Sequence, residues 1–130
     1  MREVIKHLKA TIGEFVICGS LALYLHGLID DYNHEEIDII VDSDIKIDGY
    51  TRHTSNRFNA RGWMGKYNNV YIDVYNKELP DYDKVVVDGL IVRIKTYQAL
   101  KTHYLSLDID NMNGHERFKN KLLTRVDLFK

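Results

Sequence analysis

The sequence predicts a small α/β (α+β) domain, a mixed β-sheet with helices packed on one face. Three observations carry this. Apolar or alternating runs of strand length recur at residues 15–18, 36–41, 69–76 and 85–92. Helical stripes separate and follow them, at residues 1–12, 21–26, 96–105 and 115–129. A length of 130 residues, 45% hydrophobic and 28% charged, suits one core and a single domain over residues 1–130.

Val4, Ile5, Leu8 and Ile12 form the stripe of the first helix, and Gly13 is its stop. Phe15, Val16, Ile17 and Cys18 make a short buried strand, broken by Gly19-Ser20. Gly19 lacks a Cβ, so an anion could come close to the backbone there. Ser20 suits the N-cap of a helix starting at Leu21, whose first N–H groups would face that anion. The helix ends at His26, with Gly27 as its left-handed C′ residue. A loop over residues 28–35 leads to the strand 36–41, where alternation puts Glu36 and Asp38 on one face and Ile37, Ile39 and Val41 on the other. Two carboxylates beside an apolar run call for a cation between them. Magnesium held by oxygen ligands is one such cation.

Residues 45–47 read as a short edge strand. The segment 49–72 has no Asp or Glu, but carries Arg52, Arg57, Arg61 and Lys66 with Tyr50, Phe58, Trp63 and Tyr67 interleaved. Its charge of +4 leaves −5 for the remainder of the chain. Such a pattern suits phosphate contact and base stacking, with Arg52 and Arg57 as nucleotide-binding candidates. It equally suits a solvated hairpin whose aromatics cover the sheet. In the strand 69–76, Asp73 lies with Tyr71 and Tyr75 opposite Val70, Ile72 and Val74. Pairing with the strand 36–41 would bring Asp73 to Glu36 and Asp38. Asp88-Gly89 between two apolar runs signals a hairpin with a type I′ turn. Thr96 suits the N-cap of the helix 96–105. Residues 108–114 lack the Glu that a calcium loop needs at its twelfth position and read as a connector. The final helix buries Phe118, Leu122, Val126 and Phe129 and turns Arg117, Lys119, Lys121 and Arg125 outward.

Composition excludes several classes. A net charge of −1 points to no polyanionic or polycationic partner for the chain as a whole. The single Cys18 cannot form an internal disulfide and reads as a reduced core residue of a cytoplasmic protein. No apolar signal region opens the sequence and no run reaches membrane-spanning length, so no membrane partner is expected. The six histidines lack zinc-ligand spacing, and neither a Walker loop nor a nucleophile elbow occurs.

Gly19-Ser20, His26-Gly27 at the end of the following helix, and the Glu36-x-Asp38 strand together resemble the DNA polymerase beta-like nucleotidyltransferase superfamily. Within it, they are most similar to the small toxin-type and abortive-infection-type nucleotidyltransferases. The resemblance runs through most of the chain in order. It implies transfer of a nucleoside monophosphate from a nucleoside triphosphate, ATP among them, to a hydroxyl of RNA, protein or a small molecule, with two Mg²⁺ ions as cofactor. It further implies that Asp38 bridges both ions, that Glu36 holds the nucleotide-side ion, and that Asp73 holds the ion activating the attacking hydroxyl. Gly19 and Ser20 would meet the terminal phosphates, and Lys101 would approach the nucleotide from its helix.

Three departures accompany the resemblance. Glu36 stands where the family usually has Asp. Tyr32 and His34 stand where Arg and Thr are frequent. No separate acceptor-binding domain follows. These departures keep a second reading open: a catalytically drifted nucleotidyltransferase fold that acts as a protein-binding inhibitor or adaptor.

Overall fold

The computed structural model describes residues 1–55, 60–112 and 114–130. Seven strands form one mixed sheet. They are β1 (Val16–Cys18), β2 (Glu36–Val41), β3 (Thr51–Ser55), β4 (Ala60–Tyr67), β5 (Val70–Asn76), β6 (Tyr82–Val87) and β7 (Leu90–Lys95), in the order β3-β4-β5-β2-β1-β7-β6. The helices are α1 (Arg2–Thr11), α2 (Gly19–Leu25), α3 (Tyr97–Leu105) and α4 (Glu116–Asp127), with a 3-10 turn at Ile109–Asn111. The mixed α and β architecture read from the sequence is the one observed.

Local chemistry accounts for most of these elements. Gly13 and Gly27 take φ of +91° and +74° just past α1 and α2, where a side chain would be strained. Asn68 and Asn69 turn β4 into β5 with φ of +49° and +62°. Asp88 and Gly89 do the same between β6 and β7 at +50° and +81°, as a type I′ turn requires. Thr96 caps α3, its hydroxyl oxygen accepting from the Ala99 N–H at 3.0 Å.

Three expectations change. Helices cover both faces of the sheet rather than one: α1 packs on the apolar row, and α3 and α4 cover the opposite face, where Ile40 is also buried. The α2 helix begins at Gly19, so its N-cap position falls on Cys18, and no side chain closes its first turn. Ser20 therefore sits inside that turn rather than before it. Residues 45–47 form no strand; Ile47 is buried by packing alone.

Strand register divides the sheet into two unlike faces. Ile17 pairs with Ile39 and Ile94, and Ile39 pairs with Val74, which puts a continuous apolar row on one face. These side chains are almost fully buried. The α1 helix lies across this face: the His7 ring stacks on Tyr67 at 3.8 Å, Arg2 Nη1 donates to the Asp88 carbonyl oxygen at 2.6 Å, and Lys9 donates to that of Ile91. The opposite face carries the polar row described next. There, α3 and α4 pack on each other, with Tyr104 stacked on Phe129 at 5.6 Å.

Candidate functional site

The polar row is a product of register. Cys18 on β1 pairs with Asp38 on β2, and Asp38 pairs with Asp73 on the parallel strand β5. Directly opposed residues share a face, so the two carboxylates and the thiol point the same way. Lys95 follows Ile94, the partner of Ile17, and so extends the row onto β7. Glu36 stands two residues before Asp38 on the same face, opposite Tyr71.

Gly19 answers to Asp38. It takes φ of +62°, and a Cβ there would lie 3.2 Å from Asp38 Cγ and 3.3 Å from Asp38 Cβ, with Oδ2 closer still. Only glycine fits both the conformation and the space. At the other end of α2, His26 Nε2 lies 2.7 Å from the Lys95 carbonyl oxygen. This contact ties the helix to the end of β7 and gives the His26-Gly27 pair a structural role.

Over this row lies a cavity of about 270 Å³. Its floor holds Gly19, Ser20, Glu36, Asp38 and Asp73. Its roof comes from α3 through Leu100, His103 and Tyr104, and from α4 through Phe118, Lys121 and Arg125. Lys77 and Lys95 complete one side. The α4 helix is anchored at the acidic end. Lys121 Nζ lies 3.6 Å from Glu36 Oε1, and Arg125 Nη1 donates to Asp31 Oδ1 at 3.3 Å. Tyr32 fixes the entry to β2, its hydroxyl donating to the Glu36 carbonyl oxygen at 2.5 Å.

Burial holds the Asp38 pKa well above the usual carboxylate range; repulsion from Asp73 and Glu36 and a hydrogen bond with Asp73 act in the same direction, and Lys121 opposes them. Asp38 and Asp73 thus form a pair that retains a proton unless a cation enters. Burial, with Asp38 beside it, pushes the Cys18 thiol up to about 12, so it stays protonated and unreactive. On the cationic side, burial and then Lys95 and Lys77 lower the His103 pKa to about 4.

The cavity brings together five of the sequence candidates: Gly19, Ser20, Glu36, Asp38 and Asp73. Two others, Arg52 and Lys101, are not brought there. Arg52 pairs with Trp63, whose partner Val74 belongs to the apolar face. Its guanidinium holds the Asp44 carboxylate in two hydrogen bonds, one of them 2.9 Å, and lies 5.1 Å from the Trp63 ring centroid. That bond keeps the Asp44 carboxyl down at about 2. Lys101 is one residue off the α3 face that lines the cavity, where His103 stands instead. Arg57 lies outside the described residues.

Arg125 departs from its expected outward position, being only 7% exposed. Sequence reasoning missed Lys77, Lys95, His103 and Arg125. The signal for Lys77 was available, since it continues the alternation Asp73, Tyr75, Lys77 on one face.

Among the described residues, no three His, Cys, Asp or Glu side chains form a ready metal-holding group, in keeping with Glu36 being engaged by Lys121. Among the same residues, no helix is long and apolar enough to cross a membrane. No protein-family model matches the chain, and no curated protein or solved structure matches it.

Proposed function

We propose that this protein transfers a nucleoside monophosphate from a nucleoside triphosphate to a hydroxyl acceptor. The observation that carries the reading is the pairing of Asp38 with Asp73 in adjacent parallel strands, above a glycine that leaves Asp38 no room for a neighbouring Cβ. Gly19-Ser20 and the acidic strand, far apart in sequence, line one cavity, as the resemblance to DNA polymerase beta-like nucleotidyltransferases requires.

The acidic side fits Mg²⁺ by its chemistry. Asp38 and Asp73 are hard oxygen donors whose mutual repulsion a divalent cation would relieve. Glu36 would join them on leaving Lys121. Bound there, Mg²⁺ would offset phosphate charge and lower the pKa of an acceptor hydroxyl. In the transfer itself, the acceptor oxygen forms a bond to the α-phosphorus as the bond to the bridging oxygen of pyrophosphate breaks. The roof residues Phe118 and Tyr104 offer apolar and aromatic surface for a base. RNA, protein and small molecules remain the acceptor classes. Nucleoside triphosphates are drawn from the cytoplasm, and the reading puts the protein there.

The test is transfer of labelled nucleotide from each of the four triphosphates to RNA and to lysate protein, with Mg²⁺ or Mn²⁺. Asp38→Asn is expected to abolish labelling. A second reading, a non-catalytic protein-binding inhibitor or adaptor, draws support from the Lys121–Glu36 contact, which partly neutralises the acids without a metal. Parent protein that labels nothing yet retains a specific protein partner would favour that reading.

A further inference from the structure

Arg125 places a charge in the roof of the cavity. It is 7% exposed and lines the cavity with Phe118 and Leu122. The three stand at i, i+4 and i+7 of α4, on one stripe of that helix. Tyr104 of α3 is within electrostatic reach: burial, then Cys18 and Asp38, raise its pKa, and the Arg125 charge opposes them.

The guanidinium is incompletely satisfied. Nη1 donates to Asp31 Oδ1 at 3.3 Å, and the Asp31 side chain is 65% exposed. A bond of that length to a solvated carboxylate is weak. Nε is buried and, among the described residues, has no hydrogen-bond partner. Burying an N–H without an acceptor is costly. In the planar guanidinium, Nε–H and one N–H of Nη2 form a fork on the side away from Nη1. The Asp31 contact therefore does not use the edge that makes paired hydrogen bonds.

We propose that Arg125 is the base-reading residue of the cavity and selects a nucleobase edge that carries two adjacent hydrogen-bond acceptors. That the ligand is a nucleotide rests on the nucleotidyl-transfer reading. A guanidinium only donates, so both arms of its fork are met by N7 and O6 of guanine, or by N3 and O2 of cytosine. Adenine sets an amino donor beside N7 and beside N1, and uracil sets N3–H between its two carbonyls. Either base leaves one arm facing a donor. Phe118 and Leu122 precede Arg125 on its stripe, so a base packed against them can turn an edge toward the guanidinium.

The test is calorimetric titration of the whole protein, with Mg²⁺, against the α,β-methylene analogues of GTP, CTP, ATP and UTP, whose α–β bridge is not cleaved. The GTP or the CTP analogue is expected to bind at least about tenfold more tightly than those of ATP and UTP. Arg125→Lys keeps a charge and a long stem but loses the fork. It should fold like the parent and reduce the preference to below about threefold. Arg125→Met, which removes a buried charge, should abolish the preference as well.

No binding of any analogue, equal binding of all four, or tightest binding of the ATP or UTP analogue would overturn the assignment. So would a loss of affinity in Arg125→Lys that is the same for all four bases, the result expected of a merely structural clamp on Asp31. A preference that the Arg125 variants lose, in a protein that labels no acceptor, would keep the base site and reject the transferase reading. Labelling of an acceptor from all four triphosphates with equal efficiency would do the reverse.

Discussion

The ammonium of Lys121 stands 3.6 Å from a carboxylate oxygen of Glu36, at the edge of a cluster that otherwise contains only acids. Lys121 also opposes the rise in the Asp38 pKa. The C-terminal helix thus supplies an internal cation where a metal-binding reading needs Glu36 free. Both side chains are about half exposed, so the contact contributes at most about 1 kcal/mol. Lys121→Met should therefore tighten Mn²⁺ binding to the nucleotide-free protein by up to about fivefold, since 1.4 kcal/mol is tenfold in affinity. Titration of Mn²⁺ followed by electron paramagnetic resonance reads this directly. Weaker Mn²⁺ binding in the variant would mean that Lys121 orders the acids rather than competing for them.

Gly19→Ala should destabilise the protein and disrupt the cavity together. The left-handed backbone alone costs roughly 1–2 kcal/mol for a residue with a Cβ. Contact with the Asp38 carboxyl group adds to it, because Asp38 is confined by the sheet beneath it. A lower urea midpoint with an unchanged slope is expected. A variant as stable as the parent would show that β2 can shift away from α2 freely.

Stability should depend on pH in two opposed ways. The Asp38–Asp73 pair holds a proton well above the ordinary aspartate value of 3.8. The native state then binds more protons than the unfolded chain, and stability falls as pH rises above that value. His103 acts in the other sense. Its ordinary value of 6.5 drops to about 4 in the fold, so between these limits the unfolded chain binds more protons and stability rises with pH. Above about pH 7.5, one unit past its ordinary value, His103 is neutral in both states, and the remaining fall belongs to the acidic pair. Urea unfolding above that pH should show declining stability in the parent and a flatter profile in Asp38→Asn. A flat parent profile would mean that the pair ionises freely.

Local pattern alone determined much of this protein. Alternation within a strand settles which residues share a face, and it put Glu36 with Asp38 and Asp73 with Tyr75 without reference to any other strand. Gly13, Gly27, Asp88-Gly89 and Thr96 marked element ends because each meets a backbone or capping need within a few residues. Alternation made Glu36 and Asp38 legible as one acidic face; that Asp73 joins it was an expectation of strand pairing, and that Gly19 lies beside it was an expectation of the family resemblance.

Only the tertiary structure decided the rest. Arg52 and Lys77 are equally basic in the sequence. One lies on the face of Trp63 with Asp44, and the other lines the cavity. The difference lies in register across β3, β4 and β5, and a shift of one residue would exchange the faces. Lys95 ends a strand that reads as ordinary, and its burial comes from helices that begin after it. His103, and not Lys101, lines the cavity on α3, and which face of α3 meets the cavity is settled only by how the helix packs. Periodicity is a property of neighbours along the chain. Which charges meet across a cavity is a property of neighbours in space, and here it required seven strands and two covering helices to be in place.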